Sequence, residues 1–182
     1  MSETIENQEE FIPDPKRTQK LIAELGDRDE RKVIGALKRV PHEGSPEVIP
    51  ALLSLLAAKP SKEVQLLLEK SLFNLKDAKC IDPLIFALTD KKLTEIKPDI
   101  LTCIWQSGLD ASDELSLLID IAISDDFLTA IEVLTIVDNT ENYRDELLSE
   151  NIAKLDQAIT VKSDKNDLLG NLRQVLLEKL LG

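Results

Sequence analysis

An apolar segment built around proline recurs about every thirty-three residues along this chain. It reads Val48-Ile49-Pro50-Ala51-Leu52-Leu53, then Ile81-Asp82-Pro83-Leu84-Ile85-Phe86, with a proline-free echo at Glu114-Leu115-Ser116-Leu117-Leu118-Ile119. Self-similarity at a period of about 20–50 residues marks repeats that cannot bury their apolar faces alone and must stack on their neighbours. The chain therefore reads as a row of helical pairs sharing a continuous apolar seam.

Composition supports helices packed on helices. Hydrophobic residues make up 43% of the 182 residues, aromatics only 3%, and there are six glycines, so Leu and Ile supply the core in place of the Val, Tyr and Phe of a sandwich. The opening MSETIENQEE is polar and acidic, unlike a signal peptide or an anchor. No uncharged apolar run reaches the roughly eighteen residues of a spanning helix, and a soluble, cytoplasmic protein is expected. Residues 1–12 read as a disordered acidic leader and 13–182 as one domain. Cys80 and Cys103 each lie in apolar helical stretches and read as reduced core thiols, although packing within one repeat would leave a bridge compatible with their positions.

Local signals mark the pairs. Asp14-Pro15 starts a helix that runs to Leu25, and a partner follows from Asp29 to Val40. Pro41 to Pro46 reads as a loop, because two prolines oppose continuation. Ser45 is expected to cap the next helix, which reaches Ala58, and Ser61 to cap a helix over 62–76 with Val64, Leu68, Leu72 and Leu75 as its buried stripe. The third pair is expected over 81–88 and 93–107, closed by Gly108. The fourth is expected from a Ser112 cap to Ile123 and from Asp126 to Val137. Helices over 143–159 and 166–180 complete the chain as a degenerate pair, as expected for a terminal cap.

Paired helices of this length, a proline within the first of each pair, and the stretch Pro83-Leu84-Ile85-Phe86-Ala87-Leu88-Thr89-Asp90 resemble HEAT repeats, most closely the short-period, phycobilisome-lyase-like form. That pattern has an apolar residue early in the second helix and small and leucine-like residues seven and eight places later. Val64, Ser71 and Leu72 match it, as do Ile96, Cys103 and Ile104. The basic residue usual after the early apolar position is Lys97 in the third repeat but Gln65 in the second, and the loop Asp-Pro dipeptide is missing. The resemblance covers roughly residues 14–140. It implies an all-α, right-handed α-α superhelix, a HEAT-like solenoid of four hairpins plus a C-terminal helical cap, and in such stacks the outward side of each second helix lines a concave groove.

With Val64, Leu68, Ser71, Leu72 and Leu75 inward, a 100° wheel turns Leu66, Lys70, Phe73 and Asp77 outward. Shifting the register forward brings Pro98, Thr102, Trp105 and Leu109 to that side, and shifting it back brings Arg31, Gly35 and Lys38 with Arg39 beside them. Phe73 and Trp105 thus occupy equivalent places in adjacent repeats. The expected partner-binding set is Phe73 and Trp105 as anchors, Arg31, Lys38 and Arg39 as charge clamps, and Lys70 on the same side. The competing expectation packs the aromatics between repeats and leaves the cations as a solvated helix face.

Charge is unevenly spread. Residues 16–39 carry eight bases against four acids, whereas 106–160 carry thirteen acids against two bases. Nucleic acid along such a surface is disfavoured, because phosphate binding needs clustered cations. The chemistry of catalysis is not legible either. His42 is the sole histidine and lies far in sequence from either cysteine. No spacing of Cys, His and carboxylates suits zinc, no glycine-rich phosphate loop is present, and Asp125-Asp126 sit where a helix opens. The expected function is a non-enzymatic scaffold that holds a polypeptide in its groove, without cofactor or metal. The alternative is a lyase-like or chaperone-like accessory to a tetrapyrrole pigment, and the last helix offers a face for a homodimer.

Overall fold

A computed structural model describes residues 14–161 and 163–182; the leader expected over residues 1–12 lies outside them. Among the described residues there are ten α-helices and no strand. They are α1 (Pro15–Leu25), α2 (Glu30–Glu43), α3 (Ile49–Ala57), α4 (Lys62–Leu72), α5 (Ile81–Leu88), α6 (Lys97–Ser107), α7 (Leu115–Ser124), α8 (Phe127–Asn139), α9 (Asp145–Ile159) and α10 (Asn166–Leu181). The fold is all-α.

Each helix packs on its hairpin mate, α1 on α2 through to α9 on α10. The even-numbered helices also pack in series, α2 on α4, α4 on α6, α6 on α8 and α8 on α10. The odd-numbered ones do the same for α1, α3 and α5, and again for α7 and α9. One apolar cluster runs through all five pairs, from Leu21 and Leu37 through Leu52, Leu68, Leu84 and Ile100 to Leu118, Val133, Leu155 and Leu172, each 2% exposed or less. The stripe expected on α4 is buried at Val64, Leu68, Ser71 and Leu72, with Leu75 buried just beyond its end.

Capping follows the sequence where a short acid or serine precedes an apolar run. Asp14, Asp29 and Asp126 accept from Lys16 N, Arg31 N and Thr129 N at 3.0, 3.0 and 2.8 Å, and Ser61 accepts from Val64 N at 3.4 Å. Two expected caps are corrected. Ser45 makes no capping bond; it is buried, hydrogen-bonds Thr18 Oγ1 at 3.4 Å and donates to Glu47. Asp110, not Ser112, serves the start of the fourth pair, accepting from Ser112 N at 2.9 Å.

The reason is a recurring entry that the propensity pattern hides. A single 3-10 turn precedes α3 (Pro46–Val48), α5 (Ala78–Cys80) and α7 (Ser112–Glu114), so a turn of tighter helix absorbs the residues read as caps. Pro50 and Pro83 become the second and third residues of their helices, where an amide N–H would lack an intrahelical partner in any case. A longer 3-10 segment, Lys91–Ile96, similarly fills the stretch read as the beginning of α6. The loop expected from Pro41 also begins later. Proline forfeits one hydrogen bond but here falls in the last turn of α2, which ends two residues on at Glu43. Gly44 then turns so closely under the helix that an added Cβ would lie 2.5 Å from the Val40 carbonyl oxygen.

Gly108 ends α6 in the left-handed region, φ 66°, and its N–H bonds the Trp105 carbonyl at 3.2 Å. Nothing crowds an added Cβ there, so the backbone angle alone opposes a side chain. Gly108→Ala is expected to lower unfolding free energy by about 1–2 kcal/mol, read as a shift in urea midpoint at unchanged slope, with Gly108→Asn costing less.

Besides the shared apolar cluster, cations fasten the fifth pair to the fourth. Lys165 Nζ donates to the carbonyls of Ala122 (3.0 Å), Ile123 (2.8 Å) and Asp125, closing the C-terminal end of α7. Lys154 meets Asp120 at 2.8 Å, Arg144 meets Asp113 at 3.3 Å, and Lys179 donates to the Asp138 carbonyl at 3.0 Å. Between α7 and α9, the fully buried Asn151 donates to Ser116 Oγ at 3.1 Å. Part of the acidic excess of the C-terminal half is thus matched across this joint.

Candidate functional site

The series of even-numbered helices carries the residues singled out in the sequence. Phe73 follows the end of α4 and is half-buried against the core, and Trp105, near the end of the adjoining α6, is half-buried likewise. Each packs inward while keeping some surface. Lys38 and Lys70 are exposed and form no ion pair among the described residues.

The two arginines are engaged within their own hairpin. Arg31 is exposed and grips Asp29, its helix cap, through Nε (3.2 Å) and Nη2 (3.1 Å). Arg39 donates to Glu24 of α1, to Glu43 at 3.4 Å and to the Gly35 carbonyl at 3.2 Å, which ties α1 to α2.

Further along the series the charge reverses. Glu132 of α8 reaches α6, where its Oε2 accepts from Trp105 Nε1 at 2.7 Å and from Thr102 Oγ1 at 2.9 Å. Asp99 of α6 feels both Glu132 and Glu69 of α4. Lost hydration and then these two carboxylates hold its pKa above the usual aspartate value of 3.8. Three acids from three successive even-numbered helices therefore lie within electrostatic reach of one another, and one of them, Glu132, bonds Thr102 and Trp105. Flanking them are two large apolar side chains left in water, Leu66 on α4 (68% exposed) and Leu128 on α8 (66%). The sequence wheel missed Glu132 and Leu128 because it stopped at residue 109; continuing the register by thirty residues from Thr102 reaches Glu132.

An acid whose folded pKa is raised opposes folding when ionised. Asp99→Asn is accordingly expected to raise Tm at neutral pH. The gain should shrink as pH falls through the raised pKa and vanish below about pH 3.8, where the unfolded chain's carboxyl is protonated too. Melting the two proteins across pH 3–8 checks this.

Where the even-numbered series meets the loops, a pocket of about 280 Å³ opens beside Trp105. Gly108, Leu109 and Asp110 line it from the α6 end, and Ile136, Asn139, Thr140, Glu141 and Asn142 from the α8 end. A second and wider groove, about 720 Å³, crosses α1, the turn before α3 and the start of α5, with Pro15, Pro46, Pro50 and Pro83 among its lining. Comparison with protein-family models, curated proteins and solved structures finds no match for this chain.

The remaining reactive groups are shielded. Cys80 and Cys103 are free and buried, and burial pushes their thiols up to about 11 and about 12 respectively, so neither is a thiolate near neutrality. Among the described residues no group of three or more His, Cys, Asp or Glu is placed to hold a metal ion. None of these helices is long and apolar enough to cross a membrane.

Proposed function

We propose that the chain is a short HEAT-like solenoid, a right-handed stack of helical hairpins capped by α9 and α10, and that it acts as a non-enzymatic scaffold holding a polypeptide along its even-numbered helices. The observation that carries this reading is the serial packing of α2, α4, α6, α8 and α10, which lines up one side of five helices as a single surface. On that surface Leu66 and Leu128 stand exposed on α4 and α8, the helices on either side of α6, which carries the half-buried Trp105, an arrangement of apolar anchors around polar groups suited to an extended segment. Phe73, Lys38 and Lys70 extend the surface toward the N-terminal pairs. Arg31 and Arg39 would contact a partner only by exchanging their internal carboxylates. Glu69, Asp99 and Glu132 favour basic residues over the middle of the segment. Cytoplasmic placement and self-association through α10 belong to the same proposal.

The test is capture of partners from a cell extract by the native protein and by a Leu66→Ser, Leu128→Ser variant, both changes being at exposed positions and leaving the melting curve unmoved. Loss of the same polypeptides from the variant is expected, and an unchanged set removes the reading. A Phe73→Ala, Trp105→Ala variant that still folds should lose them as well. For the tetrapyrrole alternative, addition of haem or a bilin is expected to leave the visible spectrum of the pigment unchanged.

A further inference from the structure

The pocket beside Trp105 is walled by one large aromatic, two carboxylates and the C-terminal ends of two helices, and no basic residue lines it. Most of these components favour a cation. The carbonyl end of α6 carries partial negative charge at the rim, at Ser107, whereas at the end of α8, which stops at Asn139, the Asp138 carbonyl already accepts from Lys179. Asp110 and Glu141 add full charges and are exposed rather than neutralised, since neither forms an ion pair among the described residues. Trp105 is held in place by its Nε1–H bond to Glu132, which leaves the indole ring system for a planar cation to lie against.

Size narrows the ligand. At about 280 Å³ the space lies at the lower end of the roughly 300–1,000 Å³ typical of sites for small molecules, and it is large enough to take one long side chain entering from outside. A guanidinium matches it better than an ammonium, because it stacks flat on indole and bonds carboxylates through a planar fork.

We propose that the Trp105 pocket is the receptor for a single arginine side chain of the bound polypeptide, stacked on the indole and paired with Asp110 and Glu141. This rests on the scaffold reading above and adds the residue that the groove selects. Trp105 is the only tryptophan in the chain, so its emission reports the pocket directly.

The probe is the capped peptide acetyl-Gly-Leu-Arg-Leu-Gly-amide, titrated into the full chain while tryptophan emission is followed, with the citrulline analogue as its uncharged isostere. Saturable change with the arginine peptide is expected, at least tenfold tighter than with citrulline. The same loss is expected in an Asp110→Asn, Glu141→Gln variant, in which the amide oxygen introduced by the first change still accepts the helix-opening bond from Ser112 N and the fold is preserved. Equal affinity for the two peptides, no saturable change, or an undiminished response in the variant would overturn the pocket. Those failures are distinct from failure of the scaffold. If the Leu66→Ser, Leu128→Ser variant still loses the polypeptides captured by the native protein while the pocket variant keeps them, the surface stands and the arginine site falls.

Discussion

Leu68→Ala is expected to remove about 2–5 kcal/mol of stability, the largest effect of any single truncation considered for this fold. Leu68 is 0% exposed in the middle of α4, a helix packed on α2, α3 and α6, so the lost methyl groups leave a cavity enclosed by helices of three different pairs. Chemical unfolding should record the drop as a lower urea midpoint. The distribution of the damage is informative as well. In a stack where each unit touches only its neighbours, amide exchange should accelerate in α2, α4 and α6 well before it does in α9 and α10. A uniform acceleration along the chain would argue against the serial arrangement.

Lys165→Met is expected to cost about 2 kcal/mol, because a hydrogen bond from a charged donor contributes about 1.5–3 kcal/mol and this ammonium serves three carbonyls at the end of α7. Methionine keeps the apolar stem, so the change isolates the ammonium group. Thermal melting should show the loss, and exchange should quicken first in α9 and α10, since the joint between the fourth and fifth pairs is the part released. Equal melting of the two proteins would mean that apolar packing of α7 on α9 holds the joint unaided.

Much of the fold was legible because its signals are local. Asp14, Asp29, Ser61 and Asp126 each precede an amphipathic run and each caps it. The stripe of α4 followed from the helical period alone. The 3-10 entries were not legible. The residues at their thresholds, Ser45 and Ser112, look like caps, and only the packing of Ser45 against Thr18, twenty-seven residues away, gives it a different task. Site residues divide in the same way. The equivalence of Phe73 and Trp105 is a matter of counting, whereas Arg39 was read as a free clamp because Glu24 sits fifteen residues away on another helix. Charge pairing of that kind depends on the angle at which two helices meet, which a one-dimensional pattern does not encode. Trp105 was found but its setting was not, since Glu132 and the loops at 108–110 and 139–142 come together only when α8 lies beside α6.

The polar fastening of α9 and α10 bears on what covers α7 and α8. An unterminated row of hairpins would present the flanks of α7 and α8 as a sticky end, ready to recruit the next molecule. Asn151, Lys154, Lys165 and Lys179 meet those flanks with hydrogen bonds to Ser116, Asp120, Ala122 and Asp138. Cut at residue 144, the shortened protein is expected to lay open to water the faces of α7 and α8 that α9 and α10 cover, and to associate through them.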